Sequence, residues 1–171
     1  MITIKQATEE DSPIIEDILF DAINWLDSTG KQMWTKERVS WEFMSTRLGV
    51  TANDFYIAYI NNNPVGCMTL TDYDPHTWTD IKKGESFFIH RLAVKRIAAK
   101  QGVSKALINY AKTQAVQSCI NAVRLDCWQN REKLREIYER EGFICVEEKI
   151  LFEYYHAALY IWQNKDVICE K

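Results

Sequence analysis

The stretch from Glu85 to Ile108 constrains the fold more than any other. It reads as a buried strand ending in His90-Arg91-Leu92-Ala93-Val94, then a short basic turn, then a helix that opens at Gly102. Strand, turn and helix in that order define an α/β crossover, so the chain must place a helix against a sheet. The entry to such a helix favours an anion. Its first N–H groups have no partner within the helix, and the helix dipole puts partial positive charge there. Gly102 has no Cβ and lets the backbone approach a ligand closely. Arg96, Lys100 and Lys105 add positive charge around the turn. The chemistry this turn favours is phosphate or pyrophosphate binding.

The rest of the chain supplies a second crossover. Val123 to Trp128 is strand-like, and the segment from Asn130 to Glu141 carries Leu134, Ile137 and Tyr138 at helical spacing before Gly142-Phe143. Upstream, Met1 to Ala7 alternates as a strand. Thr8 to Pro13 starts a helix that runs to about Asp27, and a second helix is expected over Thr35 to Leu48. Phe55 to Ile60 and Val65 to Thr71 flank Asn61-Asn62-Asn63-Pro64 as a hairpin. A strand to about Glu147 and a long aromatic strand from Ile150 to Trp162 close the chain.

With 171 residues, 47% apolar and 26% charged, the chain fits one globular domain spanning residues 1–171. A net charge of −3 excludes the footprint of a non-specific nucleic-acid binder. No apolar run reaches the length of a membrane span, and the polar N-terminus is unlike a signal peptide. Five cysteines without a C-x-x-C pair suit free, buried thiols in a reducing cytoplasm. The expectation is a cytoplasmic protein without nucleic-acid or membrane partners.

The order of these elements, with "LREIYEREGF" closing the last helix, resembles the GNAT superfamily of acyl-CoA-dependent N-acetyltransferases, in its single-domain bacterial form. The resemblance spans the chain from "ITIKQATEEDSPII" to the strand-rich tail. It implies an α/β (α+β) fold: a mixed, mostly antiparallel central sheet flanked by helices and splayed at the cofactor site. It also implies acetyl-CoA as co-substrate, no metal, and a small-molecule or peptide amine as acceptor. The family's pyrophosphate loop, Arg/Gln-x-x-Gly-x-Gly/Ala, falls on Ala99 to Ser104. Gly102 matches, whereas Ala99 and Ser104 depart.

Carried over residue by residue, the resemblance assigns acetyl-CoA to Lys100, Gln101, Gly102, Val103, Ser104 and Lys105. The backbone of Leu92, Ala93 and Val94 would meet the pantetheine arm, and Asn130 would support the cofactor, although the family's spacing from Tyr138 lands on Arg131. Tyr138 matches the tyrosine that protonates the departing sulfur. The glutamate base of the family's histone-acetylating branch falls on Phe88, so no carboxylate carries over. Strand alternation puts His90 on the same face as Phe88, which makes His90 the candidate base and leaves Glu85 a lower-ranked one. Trp34, Arg38 and Trp41 at i, i+4, i+7 suggest an aromatic rim for the acceptor, with Trp34 and Trp41 as substrate-binding residues. Core packing explains the same apolar face. The tail strand from Phe152 to Trp162 is expected to offer an edge to a second copy of the chain, as a homodimer. A non-catalytic acyl-CoA-binding or regulatory module of the same fold is the rival reading. A nucleotide-phosphate binder lacks both a P-loop and a Gly-x-Gly-x-x-Gly motif.

Overall fold

The computed structural model describes residues 1–31 and 34–165. Its contacts divide the chain into two compact units, Met1–Thr69 with Arg91–Leu107, and Leu70–His90 with the chain from Ile108 onward.

In the first unit, β1 (Ile2–Gln6) pairs antiparallel with β2 (Phe55–Ile60), and β2 with β3 (Asn63–Thr71). The β2–β3 turn is two residues, Asn61 and Asn62, both with left-handed backbone. Asparagine tolerates that conformation, and two such residues in succession suit the twist of a hairpin. The strand β4 (Ser86–Val94) follows β3 in the sheet order. The helix α1 (Ser12–Ser28) buries Ile15, Ile18, Leu19 and Ile23, spaced to share one face. They pack into one cluster with Phe55, Ile57, Cys67 and Ala93. Each such side chain contributes about 1.5–3 kcal/mol by leaving water.

The second helix expected from the sequence is two. The segments α2 (Lys36–Val39) and α3 (Trp41–Leu48) meet at Ser40, whose backbone is extended at φ −62°, ψ 144°. Ser40 accepts a hydrogen bond from the Phe43 N–H and so caps α3, while Thr35 accepts from Arg38 and caps α2. Two polar caps within six residues compete successfully with one continuous helix. The shared helical face of Trp34, Arg38 and Trp41 therefore does not exist, and Trp34 lies ahead of α2.

In the second unit the strand order is β4-β5-β7-β6, with β5 at Ala122–Trp128, β6 at Ile144–Leu151 and β7 at Tyr155–Gln163. The β4–β5 pair is parallel, and β7 pairs antiparallel with both β5 and β6. The helices are α4 (Val103–Gln117), which runs in from the first unit, and α5 (Glu132–Arg140). Seven strands, mixed and mostly antiparallel, with accompanying helices match the expected fold class. The tail does not. The long strand expected from Ile150 is broken by a turn at Phe152 and Glu153, both left-handed. The aromatic strand β7 that follows is paired on both sides, so it offers no free edge. The edge is β6, which carries a register irregularity between Cys145 and Glu147 and the ion pair Lys149–Glu147. Bulges and charges are the usual devices that keep an edge from pairing further.

Gly66 in β3 is the tightest point of the first unit. A Cβ there would lie 2.8 Å from Val103 Cγ1 and 2.9 Å from the Ala93 carbonyl oxygen. The carbonyl is backbone and cannot swing away. Gly66→Ala is therefore expected to destabilise the fold by about 1–3 kcal/mol, the usual cost of overpacking. A thermal melt should show a drop of about 2–4 °C per kcal/mol.

Candidate active site

The first unit carries the anion-binding turn. Past the bulged residue Arg91, whose φ is +50°, β4 continues through Leu92, Ala93 and Val94 to a short 3-10 turn at Arg96–Ala98. Leu92 and Val94 are half-buried, and Ala93 is buried. Lys100 and Gly102 both take left-handed backbone, at φ +64° and +81°. Left-handed residues placed this closely turn the chain sharply into the entry of α4, whose first N–H groups have no partner within the helix. Gly102 accepts a hydrogen bond from the Ala106 N–H and so opens α4. Val103 is buried against Gly66, which fixes the helix entry, while Ser104 is half-exposed and Lys105 exposed. Space beside Gly102 is open, with no atom within 4 Å of a built Cβ.

Two of the expected contributors are engaged elsewhere. The Gln101 N–H donates to Ala98 and its side-chain amide to the Ile97 carbonyl, so Gln101 shapes the turn from within. Arg96 stacks over the Trp25 ring at 4.7 Å, and its backbone N–H donates to Asp21. The turn, the exposed Lys100 and Lys105, and the helix entry together fit a diphosphate.

Trp34 and Trp41, also in the first unit, are half-buried and pack against the apolar cluster of α1 and β2. Trp41 lies against Phe55 with ring centroids 6.2 Å apart, and its N–H donates to Glu16.

The second unit carries both candidate catalytic side chains. The parallel β4–β5 ladder covers only Ser86–Phe88 against Ala122–Arg124 and stops before Ile89 and His90. Phe88 is fully buried beside Trp78 and Leu159, whereas the His90 ring keeps 28% exposure. Its Nε2 lies 3.1 Å from Asp74 Oδ2, and its Nδ1 lies 3.8 Å from Asp126 Oδ1. Asp74 sits in the loop after β3. Its Oδ1 accepts from the backbone N–H groups of His76 and Thr77, both at 3.0 Å. Asp126, on β5, accepts at Oδ2 from the Tyr155 hydroxyl at 2.5 Å.

The two carboxyls are shifted in opposite directions for physical reasons. Burial pushes Asp74 up, but the His90 contact and the two backbone N–H groups outweigh it and hold the carboxyl down at about 2. Burial pushes Asp126 up too, and there the charge of His90 and the Tyr155 hydrogen bond compensate only in part. The ligand atoms of Asp74, His90 and Asp126 lie within 4.8 Å of one another. However, the carboxylates address different ring nitrogens, and a single metal ion can take only one of them. This arrangement suits control of a proton better than a metal.

Tyr138 faces the core from α5 and is 5% exposed, against Phe143 and Tyr160. Burial, then the nearby Cys127, Asp126 and Tyr160, push its phenol well above the ordinary value. It therefore favours the protonated phenol, which has a proton to donate. A network docks α5 around it. Arg135 donates to the Tyr160 oxygen at 2.9 Å and pairs with Glu148, and the Tyr160 hydroxyl donates to Glu139. Asn130 is exposed in the turn ahead of α5 and does not cap it; Arg131 occupies the cap position. Glu85 is exposed ahead of β4 and lines a cleft with Ser86 and Arg124, not the His90 cluster. The residues that sequence reasoning missed are Asp74 and Tyr155, as well as the role of Asp126. An alternating apolar-acidic pattern in Leu125-Asp126-Cys127 was the one signal available.

Comparison with known proteins agrees with this geometry. The sequence pattern of the Acetyltransferase (GNAT) family matches residues 19–143. The chain is 24% identical over 141 residues to YesJ of Bacillus subtilis, described as an uncharacterized N-acetyltransferase, covering 80% of this chain and 78% of YesJ. Among solved structures, a GNAT-family acetyltransferase from Listeria monocytogenes is similar with a TM-score of 0.78 at 21% identity, over 95% of both chains. The PaiA N-acetyltransferase from Thermoplasma acidophilum, solved with coenzyme A, is similar with a TM-score of 0.71 at 14% identity, over 96% of this chain and 99% of that one. A helix entry shaped for a diphosphate, a protonated tyrosine on the helix after β5, and a family match over most of the length agree: the chain belongs to the GNAT acetyltransferase family.

Proposed function

We propose that this protein transfers an acetyl group from acetyl-CoA to a primary amine by direct attack, with residues 1–171 acting as one catalytic domain. The observation that carries the reading is the left-handed turn at Lys100 and Gly102, exposed at the entry of α4 in a chain of this family. Acetyl-CoA supplies the activated thioester. The N–H groups at the start of α4, with Lys100 and Lys105, hold its diphosphate, and the backbone of Leu92, Ala93 and Val94 aligns its arm. Asn130 lies ahead of α5 as a further contact. His90 takes a proton from the amine, and Tyr138 gives one to the departing sulfur.

Direct attack is favoured over an acyl-enzyme because the cysteine beside Asp126 is a poor nucleophile. Burial, then the Asp126 charge, push the Cys127 thiol up to about 12. The thiol of Cys67 is likewise pushed up to about 12 by burial. The described cysteines Cys67, Cys119, Cys127 and Cys145 are free thiols; Cys67 and Cys127 are buried, whereas Cys119 is exposed. No described helix is long and apolar enough to cross a membrane.

The deciding assay is thiol release from acetyl-CoA with and without a panel of amines: spermidine, lysine, benzylamine, kanamycin and a peptide with a free N-terminus. Amine-dependent release supports the acetyltransferase. Acetyl-CoA binding with no amine-dependent release favours the non-catalytic acyl-CoA-binding module.

Four variants test the assignments. Gly102→Val forces a β-branched residue into left-handed backbone and should weaken acetyl-CoA binding at least tenfold, about 1.4 kcal/mol, by calorimetry. Unchanged affinity removes the turn from the site. Trp34→Ala and Trp41→Ala should each raise the acceptor KM more than they alter acetyl-CoA affinity. A loss of stability near the ~3–5 kcal/mol of a buried aromatic, with unchanged KM, assigns them to the core instead. Tyr138→Phe keeps the ring and removes the hydroxyl, so kcat should fall by about 10²-fold or more with little change in acetyl-CoA affinity. A kcat within twofold of the parent's, under conditions where chemistry limits turnover, removes Tyr138 as the acid.

A further inference from the structure

We propose that Asp74 and Asp126 are positioning residues that hold His90 by its two ring nitrogens, Asp74 selecting the tautomer and Asp126 stabilising the imidazolium. This inference rests on the reading of His90 as the base that accepts the amine's proton.

The geometry separates the two roles. Asp74 Oδ2 lies 3.1 Å from Nε2, at ion-pair and hydrogen-bond distance. Asp74 is itself immobile, because its other oxygen takes two backbone N–H groups of its own loop. A fixed carboxylate beside Nε2 favours the tautomer with its proton there, leaving the lone pair on Nδ1. Asp126 Oδ1 lies 3.8 Å from Nδ1, beyond hydrogen-bond reach. Two acceptors should stand apart in this way when Nδ1 carries no proton. Asp126 therefore leaves the lone pair available, yet is close enough to favour the positive charge that forms when Nδ1 is protonated. The Tyr155 hydroxyl donates to the far oxygen of Asp126 and so holds that carboxyl in place, with Oδ1 turned toward the ring. Tyr155 is held in turn by an edge contact with Trp128, ring centroids 4.8 Å apart. Among the described residues, the loop carboxylate Asp74 and the strand carboxylate Asp126, with Tyr155 behind it, face the His90 ring.

The proton and bond balance follows. As the amine nitrogen bonds to the acetyl carbon, one of its N–H protons passes to His90 Nδ1. The carbon–sulfur bond breaks, and sulfur takes the proton of the Tyr138 hydroxyl. The proton on His90 then returns to the tyrosinate through solvent, and both groups are restored. No oxidant or further reactant is required.

The test reads the tautomer directly and needs no acceptor. Long-range ¹⁵N–¹H spectra of the uniformly labelled full chain at about pH 8, where a free imidazole is mostly neutral, resolve the ring signals. Those of His90 are assigned by their loss in His90→Gln. The parent should show His90 protonated at Nε2. Asp74→Asn keeps an acceptor for the loop N–H groups but offers an amide donor to Nε2. It should switch the ring to the Nδ1–H form and, with the best acceptor of the amine panel, lower kcat by about 10²-fold or more with acetyl-CoA affinity within about threefold. Asp74→Glu should restore the tautomer and part of kcat. Asp126→Asn should lower kcat while leaving the tautomer unchanged. An Nδ1–H ring in the parent, or an Asp74→Asn variant with the parent tautomer, overturns the proposal. If His90→Gln retains parent kcat, the reading of His90 as base fails by itself, and the tautomer result still reports on the clamp.

Discussion

The close approach of β3, β4 and α4 at Gly66 is the constraint on which the cofactor half of the protein depends. Hydrogen at the Cα position of Gly66 lets the Ala93 carbonyl and the Val103 side chain come to distances that no Cβ would permit. Val103 is the first residue of α4 and Ala93 belongs to the strand end proposed to align the thioester arm. One missing side chain thus sets where the helix begins relative to the strand that precedes it. The Lys95 N–H donating to the Val65 carbonyl ties the same strand end to β3. With both ends anchored, the few residues between them turn through left-handed backbone at Lys100 and Gly102. The turn proposed to bind the diphosphate owes its shape to packing beneath it as much as to its own composition.

The proposed base depends on a different device, a ladder that ends early. Three paired residues join β4 to β5, and the pairing stops just ahead of His90. Had it continued, the His90 and Asp126 backbones would be locked in register. Instead the ring stands beside two carboxyls held from separate elements. Asp74 is fixed by its loop and Asp126 by Tyr155. Tyr138 is placed by the docking of α5, through Arg135, Tyr160 and Glu139. Burial raises its phenol, which suits the proposed proton donor, while the carboxyls around His90 suit the proposed proton acceptor.

The sequence by itself determined the crossover, the glycine that opens α4, the tyrosine before Gly142-Phe143 and the family. Each depends on local chemistry: a residue without Cβ, helical spacing, or a helix terminus with unpaired N–H groups. The single helix expected over Thr35 to Leu48 failed because two hydroxyl caps, Thr35 and Ser40, lie too close together for one helix to survive. The tail strand failed because Phe152 and Glu153 carry no glycine or asparagine to announce a left-handed turn. Only tertiary structure decided that Asp74, 16 positions before His90, and Asp126, 36 after it, would meet the same imidazole. No local pattern encodes that meeting, because it follows from strand order and from where a ladder stops. Proton affinity was equally beyond the sequence. Two aspartates of identical chemistry are driven in opposite directions, Asp126 upward by burial and Asp74 downward by His90 and two backbone N–H groups, and both burial and donors are properties of the folded chain.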